Sequence, residues 1–315
     1  MKVSFAKPTI PGKGAYVVAV LENRKLTPSA VQLDKKMKGV LKRAIRGSRF
    51  KGSKGQSLSV LAPVGTRLDR VFLIGLGKPE DIDDLRMQDA GGLIFATLAS
   101  VGVTEVSVAV DEIKGCGMSA PEMAAELAFG AKLRSYNFDK YRTKQKKEEK
   151  PSLKSMTVLC NQVAEAKRAF SPKDWIANGV FFTRDLVSEP ANVIYPETLA
   201  EQAKTLSDLG IKVEVFGQTH LEKLGMGALL GVAQGSVREP KVVVMQWNGA
   251  PKKAASGVGK SGKNTGPIAF IGKGVTFDTG GISIKPSANM EDMKWDMGGS
   301  GVVIGLMKAL AGRKA

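Results

Sequence analysis

The sequence predicts an α/β protein of two domains, an N-terminal α/β domain over residues 1–165 and a second, α/β/α domain over 171–315. Three observations predict it. Short β-branched runs of strand length alternate with stretches whose apolar residues recur at helical spacing, the pattern of a buried sheet covered by helices. A length of 315 residues accommodates two domains of ordinary size. The run YRTKQKKEEKPS at 141–152 is polar and unpatterned, as a surface loop or an interdomain spacer is.

The elements follow in order. AYVVAV (15–20) is a strand, 31–47 a helix, and SLSVLAP (57–63) and RVFLIGLG (70–77) are strands. Helical spacing returns over 85–101, and EVSVAV (105–110) is the next strand. PEMAAELAFGAKLRSY (121–136) is a helix with Pro121 in its first turn behind Ser119, and MTVLC (156–160) is a strand. In the second half SPKDW (171–175) opens a helix running towards Leu186, with Ser171 as N-cap and Pro172 at the first helical position. A helix over 196–209 and a strand IKVEVF (211–216) come next. KVVVMQW (241–247) and PIAFIGKG (267–274) are strands of the buried type. The last helix, GSGVVIGLMKALAGRK (299–314), is apolar round most of its circumference and packs inside its domain. PKKAASGVGKSGKNTG (251–266) has the composition of a flexible surface loop.

Composition narrows the function classes. The chain is 43% hydrophobic and 24% charged, which describes a soluble globular protein and not a disordered one. Cys116 and Cys160 lie far apart with no C-x-x-C spacing, so neither a disulfide framework nor a thiolate zinc site is expected. Lys7, Pro8, Pro11 and Lys13 interrupt the N-terminal apolar residues, so no signal peptide is expected. No run of 18 apolar residues suggests a membrane span, and a reducing, cytoplasmic compartment is the default. Net charge is +17, with 27 Lys and Arg against 16 Asp and Glu in residues 1–150. The densest patch, KKMKGVLKRAIRGSRFKGSK (35–54), holds nine cations and no acid. It reads either as a footprint for nucleic acid or as a solvated basic face, since no aromatic ladder or reader motif accompanies it.

Several motifs carry little. GVGKSGKN (257–264) fits G-x-x-x-x-G-K but ends in Asn264 where a phosphate loop needs Ser or Thr, and it leads into a strand. Phe277-Asp278-Thr279-Gly280 matches the aspartic-protease D-T-G, but no second copy exists to share a proton. His220, the one histidine, has no acidic or nucleophilic motif partner and receives no role.

The informative stretch is IGKGVTFDTGGISIKPSANMEDMKWDMGG (271–299). Its glycines break regular structure while it carries Lys273, Asp278, Lys285 and Asp296. With one histidine and two cysteines in the chain, a metal site here must draw mainly on oxygen ligands. Lys273 follows an apolar run, at a strand end where open α/β sheets place ligands. Asp278 precedes a double glycine, and Asp296 stands ahead of the glycines that open the last helix. The plain alternative is a glycine-rich turn with capping aspartates and solvated lysines.

GKGVTFDTGGISIKP (272–286) and MEDMKWDMGG (290–299) closely resemble the leucyl (cytosol) aminopeptidase family of dinuclear metallo-exopeptidases. RDLVSEPANVIYPETLA (184–200), LGMGALLGVAQGS (224–236) and VVVMQWNGA (242–250) extend the resemblance, which is looser over 1–150. The resemblance implies a metal-dependent aminopeptidase releasing N-terminal residues, leucine-like ones foremost, from peptides. It implies two divalent ions, Mn²⁺ or Zn²⁺, with Asp278 bridging them and Asp296 and the neutral amine of Lys273 binding one. Lys285 is then the catalytic donor to the scissile carbonyl, and Met293 lines the pocket for the N-terminal side chain or packs in the core. A cytoplasmic homo-oligomer, a hexamer, is implied as well. The family's second metal-binding segment, N-T-D-A-E-G-R, is not found in these 315 residues. The catalytic domain is therefore expected to be incomplete, a fragment of a longer enzyme, with the apolar faces of 267–274 and 299–312 uncovered. The alternative is an inactive relative acting as a nucleic-acid-binding or interaction protein.

Overall fold

The structure, a computed structural model, describes residues 1–249 and 266–315. The GVGKSGKN stretch and the loop around it lie outside the described residues, apart from Gly266. Two compact units are formed, Met1–Asp174 and Trp175–Ala315. No helix among the described residues is long and apolar enough to cross a membrane.

The first unit is a seven-stranded sheet with helices on both faces. Its strands are β1 (Lys2–Ala6), β2 (Ala15–Leu21), β3 (Lys25–Leu26), β4 (Ser57–Leu61), β5 (Arg70–Gly77), β6 (Glu105–Ala109) and β7 (Ser155–Leu159). The spatial order is β1-β7-β6-β2-β5-β4, with β3 paired to β2. Strands β1, β7, β6, β2 and β5 run parallel, and β4 closes one edge antiparallel to β5. Every residue of β2 is buried, and the two-residue period splits them. Ala15, Val17, Ala19 and Leu21 join one core with helices α3 (Asp84–Ala99) and α4 (Ala120–Arg134). Tyr16, Val18 and Val20 join the other, with α1 (Pro28–Lys36) and α2 (Val40–Arg46). A strand buried on both faces reads as an unbroken apolar run, which is why AYVVAV is conspicuous.

The structure differs from expectation at four places. The helix expected over 31–47 is two, because Lys38 and Gly39 take left-handed backbone angles and stop the first. Strand β1 pairs with β7 at the sheet edge. Ser171 and Pro172 lie inside one helix, α5 (Val163–Ser188), and not at its start. Buried Ala166 and Phe170 before the proline, and Ala177 and Leu186 after it, drive one continuous helix although proline lacks the N–H for one ladder bond. The fourth, the segment 267–274, is not a strand. No strand runs beside it among the described residues, and Ile268 and Ile271 are 82% and 95% exposed. A strand without a ladder partner has no reason to form.

Ser119 and α4 behave as the sequence reads. The Glu122 carboxylate accepts from the Ser119 N–H at 2.9 Å and from its hydroxyl at 2.7 Å. These bonds hold the Glu122 carboxyl below its ordinary range. All nine cations of 35–54 are exposed, and Lys54 pairs with Asp89 at 2.9 Å.

Tyr16 is an ionisable group buried in the sheet's α1–α2 face. Its hydroxyl faces Ser29, which donates to Asp111 through Nα at 3.0 Å and Oγ at 2.6 Å. Burial raises the phenol to about 12, with the Asp111 charge adding to the rise and the Ser29 bond opposing it. A raised folded value means that the stabilisation is whole below the unfolded value of 10 and fades as pH climbs towards 12. Urea unfolding at pH 9 and pH 11.5 should therefore show wild type losing up to about 2 kcal/mol relative to Tyr16→Phe. A constant difference between the two proteins would contradict this.

The second unit holds α6 (Pro196–Lys204), β8 (Lys212–Phe216), α7 (Gln218–Lys223), α8 (Gly227–Ala233), β9 (Val242–Gln246) and α9 (Gly298–Gly312). Strands β8 and β9 form an antiparallel pair. Leu186, Ile194, Leu199, Leu206, Ile304 and Met307 anchor its core. Helix α9 buries one face there, while Val302 stays 57% exposed.

Candidate functional site

The stretch 266–289 is irregular chain, and turns within it place Asp278 and Lys285. The Asp278 carboxylate accepts from the Gly280 N–H at 2.8 Å, closing a turn on itself. Gly280 and Gly281 follow with φ of 87° and 69°, a region costly for any residue with a Cβ. The Lys285 N–H then donates to the Thr279 carbonyl at 2.9 Å, which brings the chain back beside Asp278. The result is an ion pair, Lys285 Nζ to Asp278 Oδ2 at 2.8 Å. Lys285 Nζ also lies 3.1 Å from Met293 Sδ.

Asn289, with φ of 61°, turns the chain into a 3-10 segment over Met290–Trp295. It ends with the Asp296 N–H donating to the Met293 carbonyl at 3.2 Å, just ahead of α9. Lys273 reaches across from the other side. Its Nζ lies 2.6 Å from Asp296 Oδ1, and its carbonyl accepts from the Ser300 N–H at 2.8 Å.

The four charges therefore form two crossed pairs, Lys273 with Asp296 and Lys285 with Asp278. The Asp278 carboxyl is held below its ordinary range, first by the Lys285 hydrogen bond, then by the Gly280 N–H and the charges of Lys285 and Lys273, against a desolvation that opposes them. Lys273 thus acts electrically on both carboxylates. Asp296 is the more sheltered of the acids, its side chain 21% exposed against 37% for Asp278. Its Oδ2 is buried, and no donor among the described residues reaches it.

A buried anionic oxygen with no partner is costly, and a cation is the group that satisfies it. No cluster of three or more His, Cys, Asp or Glu side chains stands ready for a metal among the described residues. Two carboxylates and an amine are what this stretch offers. They fit a share of a site for hard or borderline divalent ions. All five residues singled out in the sequence, Met293 included, fall in this one neighbourhood. His220 lies elsewhere, on α7, its ring 4.4 Å from that of Phe216 at the end of β8. Ser300, which ties Lys273 to α9, carried no signal beyond its place after the Gly298-Gly299 pair.

Two family profiles match this chain. The profile described as "Cytosol aminopeptidase family, catalytic domain" matches residues 181–315. Its companion for the N-terminal domain of the same family matches 17–145. A probable cytosol aminopeptidase of Caulobacter vibrioides is 44% identical, covering 100% of this chain and 61% of its own length. One of a Chelativorans species is 46% identical, covering 99% of this chain and 60% of its own. The chain thus spans about 60% of the length of the curated relatives it matches. Among solved structures, a mutant of tomato leucine aminopeptidase superposes with a TM-score of 0.75 at 26% identity, over 99% of this chain and 59% of that one. A bottromycin maturation enzyme in complex with Mn shares the fold, with a TM-score of 0.71 at 23% identity.

Proposed function

The chain belongs to the cytosol aminopeptidase family, and from that membership we propose that it forms part of a metal-dependent aminopeptidase releasing N-terminal residues, leucine-like ones foremost, from peptides. The observation that carries the metal reading is the buried, partnerless Oδ2 of Asp296 beside the amine of Lys273. Asp278 and Asp296 would hold the ions, with Lys273 contributing a neutral amine. When bound, two divalent ions, Mn²⁺ or Zn²⁺, supply an activated water and an anchor for the substrate's free amino group.

The chain's own residues do the remaining work. The Lys285 ammonium, paired with Asp278, would turn from that carboxylate to a peptide carbonyl. There it donates to the oxygen on which negative charge develops. Met293, in contact with Lys285 through its sulfur, lines the side of that position where an apolar N-terminal residue sits. A thioether packs against leucine without demanding a hydrogen bond. The family name of the relatives supports a cytoplasmic setting, and we propose a homo-oligomer, a hexamer, as the assembly.

Two polypeptides test this. The 315-residue polypeptide with Mn²⁺ or Zn²⁺ is expected to release no appreciable chromophore from leucine p-nitroanilide, because the N-T-D-A-E-G-R ligands are not among its residues. Fusing it to the remaining portion of the Caulobacter relative is expected to restore release. In that chimera Lys285→Ala should lower kcat about 10²–10³-fold. Robust turnover by the 315 residues alone, or a chimera indifferent to Lys285→Ala, would overturn the reading.

A further inference from the structure

We propose that Gly272 and Gly299 are positioning residues, a backbone-on-backbone joint that sets the amine of Lys273 against the carboxylate of Asp296. Its functional meaning rests on the metal-site reading above, while its geometry does not. The problem the joint solves is visible in the fold. The segment leading into Lys273 has no strand partner among the described residues, and Ile268 and Ile271 are almost fully exposed. Side-chain burial therefore does little to fix where Lys273 sits. Yet its Nζ meets Asp296, 23 residues later, at 2.6 Å.

What holds it is the main chain. A Cβ on Gly272 would stand 2.4 Å from the Gly299 carbonyl oxygen and 2.7 Å from the Ser300 Cα. From the other side, a Cβ on Gly299 would stand 2.9 Å from the Lys273 nitrogen. Both approaches are closer than a side-chain carbon tolerates, so no other residue permits this contact without moving one strand of chain away. The Ser300 N–H to Lys273 carbonyl bond, at 2.8 Å, locks the two segments in register. Because Ser300 is in the first turn of α9 and Asp296 lies just before it, the joint refers Lys273 to the same rigid helix that fixes the acid.

Zero-length cross-linking of the ion-free 315-residue chain reads the joint directly. A water-soluble carbodiimide condenses a paired amine and carboxylate into an amide with loss of water, and mass spectrometry of the digest counts each link. The Lys285–Asp278 pair, at 2.8 Å and without a glycine of the joint, is the internal reference. Gly272→Ala is expected to lower the Lys273–Asp296 link about fivefold or more, since contact at hydrogen-bond distance is lost, and to leave the Lys285–Asp278 link unchanged. Gly298→Ala, where a Cβ meets nothing within 4 Å, should change neither link. Should Gly272→Ala fail to fold by circular dichroism, Gly299→Ala carries the same expectation with a milder clash.

Undiminished Lys273–Asp296 linkage in a folded Gly272→Ala or Gly299→Ala chain overturns the proposal. An equal fall in both links also overturns it, because that is loss of fold and not of position. Mn²⁺ separates this inference from the reading it deepens. If the carboxylates take the ion, adding Mn²⁺ to wild type lowers both links. If it does not, the metal reading fails while the effect of Gly272→Ala stands.

Discussion

Replacing Asp278 by alanine is expected to weaken Mn²⁺ binding by this chain about 100-fold or more, read from the free-ion signal in an electron paramagnetic resonance titration. Two causes add. One of the two carboxylates gathered by Lys273 is gone. The remaining site, formerly two acids against two ammonium groups, is left with a net charge of +1. The unpaired Lys285 then repels the cation from 2.8 Å away from where its acid stood. The same charges give a second variant an effect of opposite sign. Lys285→Gln removes the ammonium that competes for Asp278 and should tighten Mn²⁺ binding several-fold. A site that merely lost its local fold would weaken in both variants, so Mn²⁺ affinity moving the same way in both would contradict the electrostatic account.

The pH behaviour of that pair follows from sign alone. Asp278 is held below its ordinary value, so the Lys285–Asp278 pair is whole above the unfolded carboxylate value of about 3.9 and is lost as pH falls through the lower folded one.

Much of the first unit was legible because its strands are buried on both faces. AYVVAV and RVFLIGLG are unbroken apolar runs, and they became β2 and β5 at the middle of the sheet. Strand β1, at the edge, presents KVSFA with one buried side chain, Phe5, and so gives little periodic signal. The break between α1 and α2 depends on Lys38 adopting a φ of 53°, a conformation that lysine composition does not announce. The segment 267–274 shows the opposite failure. Its β-branched residues state a preference, but a strand is a property of a pair of segments, and the partner is not in the local sequence.

At the site the four charged residues were legible from their company of glycines, whereas their pairing was not. Sequence proximity would join Lys273 to Asp278, five residues on. The double glycine instead folds Lys285 back onto Asp278 and leaves Lys273 for Asp296. The glycines at 272 and 299 looked like more of the same punctuation, and their work is visible only once two distant segments touch.

The second large effect concerns the helix on which the site rests. Gly305→Ala is expected to destabilise the second unit by about 3 kcal/mol. Helix α9 crosses α5 with main chain against main chain. A Cβ on Gly305 would stand 2.0 Å from Thr183 Oγ1 and 2.5 Å from the Gly179 carbonyl, and a Cβ on Gly179 would meet the Gly305 carbonyl at 2.4 Å. Thr183 Oγ1 also donates to the Gly301 carbonyl at 3.0 Å. Neither backbone can yield without separating the helices, which strips Leu186, Ile304 and Met307 of their packing. The three tryptophans, at 175, 247 and 295, all lie in the second unit, so their fluorescence follows that unit through a urea titration. The tryptophan transition should shift to lower urea in Gly305→Ala. Gly298→Ala, on the same helix with open space for its methyl, should stay within about 0.5 kcal/mol of wild type. Because Ser300 in the first turn of α9 bonds Lys273, loosening the crossing should also weaken Mn²⁺ binding. That loss would be seen in Gly305→Ala even at urea concentrations where the unit remains folded. Unchanged tryptophan unfolding in Gly305→Ala would mean that the helices do not cross at these glycines, and the placement of Asp296 against Lys273 would lose its support.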